Sequence, residues 1–444
     1  MRAVFLAAGE GKRLRPYFNR PKPLVPLLGL SLIERNILSL RECGIKEFVV
    51  ITGCYADAIE EYLGNGDKLG VEIKYLHNER WALGNGVTAY TFHQEYRPGE
   101  KFILMMSDHI FGLDLLKNFI AAAQKIKEDE ILIAADRRLE KVYDLDECTK
   151  IKAERDYALK LGKKLGDFNA VDCGLFIATG ALLDALSQAI SRGDYTLTDG
   201  VNILAGSGRA KLHFVNDFWV DVDDQAGYRH CEKMLLQSLV PAKDGFISHH
   251  LNRRFSLRIT RYLARTGITP NQVTVISFLI AVAAAFCFAL GKNICGGLLA
   301  QLSSIIDGVD GEIARLKFQK SNYGGFIDSI LDRYADFLIV IGITYAWYTV
   351  KTNSPVVLMV AAAALTGMPM SMLFKEKYHA LTGKPFLPEQ YDGIFRYLPA
   401  NRDGRLFVIM WGGIFNLLPA ALVILAVAAH CQTFIRLYQA RRMV

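Results

Sequence analysis

The chain has 444 residues, 51% of them hydrophobic and 22% charged, with a formal net charge of +7, and its mean hydropathy is +0.18. That length accommodates two or three domains, and the charge is too modest to define a partner, so no nucleic acid is expected. The eight cysteines form no CxxC pair and no metal-ligand spacing, which excludes a disulfide scaffold or cysteine-held zinc and leaves reduced, packed thiols.

The two halves differ. Up to about residue 245 short apolar strands alternate with amphipathic helices, a βα pattern that favours a mostly parallel sheet with helices on both faces. The opening "MRAVFLAAGEGKRL" has an apolar run too short for a signal peptide. A strand, Val4–Ala8, runs into a glycine loop in which Gly9 and Gly11 free backbone amides to face phosphates, and Lys12, Arg13 and Lys22 add charge. The loop is neither a Walker A sequence nor GxGxxG, since Leu14 stands at the third glycine position. "FILMMSDHIF" ends a buried strand at Asp108, which by itself reads as a strand-end aspartate capping a loop; His109 reads as an ordinary loop histidine.

Residues 1–229 resemble the nucleotidyltransferases that join a nucleoside triphosphate to a sugar phosphate or related alcohol phosphate, and the resemblance implies a Rossmann-like α/β domain. Its L-A-A-G-x-G-x-R-L loop is Leu6, Ala7, Ala8, Gly9, Gly11 and Arg13 here, and its P-K-P lysine is Lys22. The resemblance implies that this loop wraps the triphosphate and that Lys22 and Arg13 steady it. It also implies that Gly84, Asn85 and Gly86 of "ALGNGVTAY" approach the base and that "VDCGLFIAT" faces the acceptor. Asp108 and Asp221 of "FWVDVDD" would hold metal, with Asp223 as the alternative second ligand.

Residues 230–267 form a linker. Arg254, Arg258, Arg261 and Arg265 recur at helical spacing with Leu251, Phe255 and Tyr262 on other faces, as in a helix lying against anionic headgroups, or in a solvated charged helix. "TGITPN" breaks this helix.

From residue 268 long apolar runs take over, with candidate spans at 273–290, 294–314, 326–349, 355–374, 405–416 and 418–436. With six spans, Arg315, Lys317, Lys320, Lys375, Lys377, Lys384, Arg396, Arg402, Arg405, Arg436, Arg441 and Arg442 fall on one side, against Lys292 and Lys351 on the other. The positive-inside rule then places both termini and the soluble half in the cytoplasm, on a multi-pass cell-membrane protein.

Asp307 and Asp310 share a helical face with Gly311, and Asp328 and Asp332 share one on the next helix. One ionised side chain at the bilayer centre costs about 2.5–3.5 kcal/mol on the insertion scale, so four converging carboxylates call for cations. Hard divalent ions suit oxygen ligands, and a pair of them can clamp a diphosphate. Gly308, Gly311 and Gly324 clear space for a helix partner or a nucleotide. An ion pathway, or pairing with Arg315 and Arg333, would also explain some of the acids.

"DGVDGEIAR" (307–315), followed at fixed offsets by Gly324, Asp328 and Asp332, resembles the signature of the CDP-alcohol phosphotransferases, and "PNQVT" (270–274) their entry motif. The resemblance implies an all-α, six-helix transmembrane domain (268–444) that transfers a substituted phosphate from a CDP-alcohol to a hydroxyl and releases CMP. It implies nucleotide contacts from Thr274, Gly308, Gly311 and Arg315, metal on Asp307, Asp310 and Asp328, and Asp332 as base that also touches a metal. Two ions of Mg2+, or Mn2+ in its place, would serve.

One domain would make the CDP-alcohol that the other consumes, which selects CTP as the nucleotide. The pairing resembles the archaeal bifunctional enzymes that join a CTP:inositol-1-phosphate cytidylyltransferase to a di-myo-inositol-phosphate-phosphate synthase. It implies CTP and inositol 1-phosphate as substrates and CDP-inositol as intermediate. Lys375, Arg402 and Arg405 could hold the acceptor's phosphate, although positive-inside anchoring explains the same residues. A lipid hydroxyl as acceptor, a nucleotide-sensing role for the soluble half, and a homodimer remain open at this point.

Overall fold

The computed structural model describes residues 1–241, 247–350, 354–384, 386–387, 391 and 401–441. Lys351, Arg396 and Arg442, used above to orient the chain, lie outside these residues. The chain divides into two compact units, Met1–Leu235 and Leu236–Val444.

The first unit is built on strands β1 (Ala3–Ala7), β2 (Glu47–Thr52), β3 (Glu72–His77), β4 (Phe102–Met106), β5 (His109–Phe111), β6 (Ile131–Asp136), β7 (Lys150–Glu154), β8 (Tyr157–Gly162), β9 (Ala170–Ala178), β10 (Ala210–Phe214) and β11 (Trp219–Asp221). Helices α1 (Leu32–Glu42), α2 (Ala56–Leu63), α3 (Asn85–Tyr90), α4 (Leu113–Ala121), α5 (Gly180–Ser191), α6 (Leu197–Gly206) and α7 (Gln225–Ser238) complete it. Nine strands form one sheet in the order β3-β2-β1-β4-β9-β6-β10-β8-β7. The β3-β2-β1-β4 half is parallel, as a Rossmann-like domain requires.

The expectation of a mostly parallel sheet fails beyond β4. Central β9 runs antiparallel to β4, β6 and β7, and only β6–β10 restores a parallel pair. The reason is connectivity: β7 and β8 form a hairpin between β6 and β9, and without a crossover helix a returning strand pairs antiparallel. Strands β1 and β6 are buried along their whole length, which is why they read as continuous apolar runs rather than alternating ones. Helix α1 starts where Ser31 accepts from the Glu34 amide and Glu34 reaches back to the Ser31 amide, a complete capping box.

The second unit is helical. A short π-turn, Ser248–Asn252, leads into α8 (Arg253–Leu263), followed by α9 (Pro270–Ala289), α10 (Asn293–Leu316), α11 (Asn322–Val350), α12 (Pro355–Thr382), α13 (Arg402–Ile414) and α14 (Leu418–Ala440). Among the described residues three helices, α9, α12 and α14, are long and apolar enough to cross a membrane. α10 and α11 are long enough but carry the carboxylates, and α13 has only 13 residues. Leu279, Phe286, Leu290 and Met359 are more than half exposed, as side chains facing lipid would be. Where helices touch, small residues let the backbones approach: a Cβ on Gly342 of α11 would meet the Ala285 carbonyl oxygen of α9 at 2.3 Å.

α8 departs from expectation. Asn252, Ser256, Thr260 and Ala264, four residues apart, are the buried stripe, while Arg254, Arg258, Arg261 and Arg265 are exposed beside Phe255 and Tyr262. The fully buried stripe is polar because it meets a buried carboxylate, while Ile259 and Leu263 beside it pack against Val273, Val309 and Ile313.

Candidate active sites

In the soluble unit, β4 ends at Met106 and the chain turns through Ser107 and Asp108 into β5. β11 pairs antiparallel with β5 and sets Asp221 opposite His109. Ligand atoms of Asp108, His109 and Asp221 lie within 4.8 Å of one another. His109 Nδ1 is 2.9 Å from Asp108 Oδ1 and 3.7 Å from Asp221 Oδ1, and its ring stacks on Trp219. The ordinary loop histidine of the sequence reading is therefore part of the cluster. The signal was missed because the pairing that creates it joins strands more than 100 residues apart.

Lys22, 8% exposed, enters from a 3-10 turn, donates to Asp108 Oδ2 at 2.5 Å and to Asp223, and lies 3.8 Å from Asp221. Gly11 makes room for it: at φ +63°, a Cβ there would sit 2.6 Å from the Lys22 Cβ. The space around Gly9 is open. Arg13 is exposed and pairs with Asp223 at 3.1 Å and Glu147 at 3.4 Å. Asp223 thus faces the two cations, outside the Asp108–His109–Asp221 group.

These charges hold one another. Burial disfavours the Lys22 ammonium, but Asp108, Asp221 and Asp223 outweigh it and keep the lysine above its ordinary value. Burial would raise Asp108, yet Lys22 and His109 hold it well below the carboxylate range. Burial would lower His109, but Asp221 and Asp108 raise it to about 9. Asp221 is pushed up to about 6, chiefly by burial. Its Oδ1 is buried and accepts no hydrogen bond. An orphaned carboxylate oxygen beside a second carboxylate fits a hard divalent cation.

Leu6, Ala7 and Ala8 are buried at the end of β1. Gly84, Asn85 and Gly86 open α3 and grip the start of α6: the Gly86 amide donates to the Tyr195 carbonyl, and Asn85 Oδ1 accepts from the Leu197 amide, both at 2.9 Å. Close backbone packing against Tyr195 and Thr196 accounts for both glycines. On β9 a bulge between Asp172 and Phe176 puts Gly174 at φ +74° against the His109 ring, and Asp172 accepts from the Gly174 amide at 2.8 Å.

In the helical unit, α10 presents Asp307 and Asp310 and α11 presents Asp328 and Asp332. Ligand oxygens of Asp307, Asp310 and Asp328 lie within 4.8 Å of one another. Thr274 donates to Asp310 Oδ2 at 2.5 Å, and the Gly311 amide to Asp310 Oδ1. Asp307 Oδ1 and Asp328 Oδ1 are buried without a hydrogen-bond partner, the same fit to divalent ions as in the soluble unit. A cavity of about 290 Å³ opens beside them, lined by Thr274, Asp310, Gly311, Arg315, Gly324 and Asp328 among others. A Cβ on Gly311 would meet Arg315 Nη1 at 3.2 Å, and one on Gly324 the Asn271 Oδ1 at 3.0 Å.

Gly308 faces elsewhere: its missing side chain leaves space for Arg253 of α8, whose Nη1 would be 2.9 Å from a Cβ there. Arg402, at the start of α13, lies 2.8 Å from Asp307 and 2.9 Å from Asp332. Arg405 turns to Asp336, and both are 3% exposed at the side chain. Asp336 is thus the buried partner of Arg405, one turn beyond Asp332 on α11. Lys375 lies half-buried on α12.

Comparison with known proteins agrees with this division. Residues 2–237 match the nucleotidyl transferase family model and residues 267–433 the CDP-alcohol phosphatidyltransferase model. A bifunctional IPC transferase and DIPP synthase from Thermococcus kodakarensis is 32% identical over 98% of this chain and 96% of its own length. One from Archaeoglobus fulgidus is 35% identical over 95% of this chain and 79% of its own. Among solved structures, the inositol-1-phosphate CTP transferase from T. maritima is 25% identical, with a TM-score of 0.46 over 52% of this chain and 95% of that one. The chain, a nucleotidyl transferase domain joined to a CDP-alcohol phosphotransferase domain, belongs to the family of bifunctional IPC transferases and DIPP synthases.

Proposed function

We propose that the soluble domain makes CDP-inositol from CTP and inositol 1-phosphate. The membrane domain then passes the inositol phosphate unit to a second inositol 1-phosphate and releases CMP. The observation that carries this reading is the presence on one chain of two separate carboxylate clusters with orphaned buried oxygens, each with its own cations.

In the first reaction a phosphate oxygen of inositol 1-phosphate attacks the α-phosphorus of CTP, the bond to the β-phosphate breaks, and pyrophosphate leaves. No protein nucleophile is needed; the domain supplies alignment and positive charge. Lys22 and Arg13 exchange their carboxylate partners for phosphate oxygens, and the amides of the Gly9–Gly11 loop face the same anion. Asp108 and Asp221 would hold a divalent ion, with Mg2+ the natural choice.

In the second reaction an acceptor hydroxyl attacks the phosphorus that bears inositol, and the bond to the CMP oxygen breaks. Asp332 takes the hydroxyl proton, while Arg402, beside Asp332 and Asp307, would meet the acceptor's phosphate with Lys375; Arg405, expected from the sequence to do the same, is instead buried against Asp336. Asp307, Asp310 and Asp328, with Asp332 beside them, would hold two Mg2+ ions, which supply positive charge to the diphosphate. Thr274, Gly311 and Arg315 line the nucleotide cavity.

Taking α9 to α14 as six spans, the side on which Arg315, Lys317, Lys320, Lys375 and Arg402 then fall puts the soluble domain and both termini in the cytoplasm. The functional boundaries are 1–229 for the transferase, 230–267 for the linker and 268–444 for the membrane domain.

The test is to supply the detergent-purified chain with CTP and a panel of alcohol phosphates, scoring pyrophosphate. CDP-inositol is then supplied with inositol 1-phosphate or diacylglycerol, scoring CMP. Pyrophosphate with inositol 1-phosphate and CMP with the soluble acceptor are expected. CMP only with diacylglycerol would make the membrane domain a phospholipid synthase, and no pyrophosphate with any partner would sink the first assignment.

A further inference from the structure

Glu312 stands inside the acidic signature of α10 yet points away from the carboxylate cluster. It is fully buried, on a helix read as crossing the membrane, where an unpaired carboxylate is costly. Three side chains of α8 meet it. Arg253 Nη1 donates to Oε1 at 2.5 Å, Ser256 Oγ to Oε1 at 2.6 Å, and Thr260 Oγ1 to Oε2 at 2.5 Å. Ser256 and Thr260, four apart, share one face of α8 and reach the two oxygens of a single carboxylate; both are fully buried.

The attachment continues along the same helix pair. Arg253 also donates to the Gly308 carbonyl at 3.2 Å, one turn before Glu312. Asn252 donates to Ser304 at 3.0 Å and to Asp403 at 3.2 Å, and accepts from Gln301 at 2.7 Å. Ser304 donates to the same Asp403 oxygen at 2.7 Å. Asp403 is the neighbour of Arg402. A buried polar seam therefore joins residues 252–260 to the back of α10, which carries Asp307 and Asp310, and to the start of α13, which carries Arg402.

Successive residues on a helix are about 100° apart. Fixing Gly308, Glu312 and, one and two turns before Gly308, Ser304 and Gln301 against residues 252–260 fixes the rotation of α10, and so the direction of Asp307 and Asp310 on its other side. A register or rotational slip would turn those ligands away from Asp328.

We infer that Glu312 is a positioning residue of the phosphotransferase site, acting through Arg253, Ser256 and Thr260, and that residues 252–263 are a working part of that site although they precede the matched domain. The inference rests on the phosphotransferase reading for its activity assay, but the geometry it concerns is that of the metal ligands alone.

The test uses the full-length chain in detergent with Glu312→Gln, with Ser256→Ala/Thr260→Val, and with the double variant Arg253→Gln/Glu312→Gln. CMP release from CDP-inositol is measured against Mg2+ concentration, alongside CTP-dependent pyrophosphate release. Mn2+ binding to the membrane site is followed by electron paramagnetic resonance in an Asp108→Asn background, a readout that needs no knowledge of the alcohol. Glu312→Gln should raise the Mg2+ required for half-maximal CMP release and weaken Mn2+ binding, each about tenfold, with pyrophosphate release unchanged. Pairing it with Arg253→Gln should recover a substantial part, because the charge imbalance at the seam is removed. The hydroxyl pair should show the same shift in milder form, even if Glu312→Gln proves too unstable to purify.

Unchanged Mn2+ binding in folded Glu312→Gln or in the hydroxyl pair would overturn the inference and leave Glu312 as a packing group only. Failure of the double variant to recover any Mn2+ affinity would do so too, by showing that Glu312 does not act through Arg253. If wild-type protein releases no CMP at all, the function proposed above fails, whereas the Mn2+ titrations still decide the positioning role.

Discussion

The soluble cluster hangs from strand ends and loops, whereas the membrane cluster is carried on the rungs of two helices. In the first, Lys22 meets Asp108 across 86 residues of sequence and Asp223 across 201. In the second, all four acids fall within one helix–turn–helix segment, and only the neutralising Arg402 comes from far away. The first brings its own cations close, from Lys22, His109 and Arg13, while the second sets four carboxylates against Arg402 and Arg333, the latter 3.6 Å from Asp332. A strand-end site can borrow charge from any loop that passes, but a helical site in an apolar surround depends on added ions and on few deep arginines.

The largest expected effect tests whether these are two sites or one. Lys22→Ala and Asp108→Asn should each cut CTP-dependent pyrophosphate release by about 10³-fold, in the range for losing a charge-stabilising group, while CMP release from supplied CDP-inositol stays near wild type. Asp328→Asn should do the reverse. Loss of both activities in either folded variant would erase the distinction.

Next comes the division of labour within the membrane cluster. Asp332→Asn should lower CMP release by about 10²-fold or more, the usual worth of a general base, with CDP-inositol binding retained. Asp307→Asn and Asp310→Asn should weaken that binding instead. Titration calorimetry in Mg2+ separates the cases, and equal loss of binding in all three variants would make Asp332 chiefly a metal ligand.

Arg402 probes charge balance directly. Arg402→Leu leaves Asp307 and Asp332 without their buried cation and should cost about 3–5 kcal/mol in metal-free detergent, the scale for breaking a buried pair. Thermal unfolding with EDTA and then with Mg2+ checks it: partial recovery in Mg2+ is expected, because the ions replace the missing charge. Equal melting of variant and wild type in EDTA would show the arginine to be dispensable there.

The smallest effect belongs to the soluble unit alone. His213 and His230 are both lowered from their ordinary value, chiefly by burial. The unfolded chain therefore takes up their protons first as pH falls, so their contribution is present above about 6.5 and is lost below it. His109, raised to about 9, and Asp221, raised to about 6, act in the opposite sense over this range, so the effect is read as a difference: from pH 7 to pH 5 the circular-dichroism melting point of residues 1–241 should fall by about 1–2 °C relative to that of His213→Gln. An identical pH dependence in wild type and variant would remove the assignment.

Helical periodicity is local, so acids at three- and four-residue spacing on two successive helices must share faces, and the membrane cluster was legible nearly in full. The glycine loop, Lys22 and Asp108 were legible through motif, and the parallel β3-β2-β1-β4 half through its buried apolar runs. What the tertiary structure decided was every partnership made across the sheet or between distant helices. The antiparallel insertion of β9, the entry of His109 into the Asp108–Asp221 cluster by strand pairing, and the turning of Gly308 toward Arg253 could not be read from spacing. Nor could the polar face of α8, whose serine, threonine and asparagine look like the solvent side of an interfacial helix. Such residues go inward only when a buried carboxylate waits for them, and Glu312 lies more than 50 residues further along the chain.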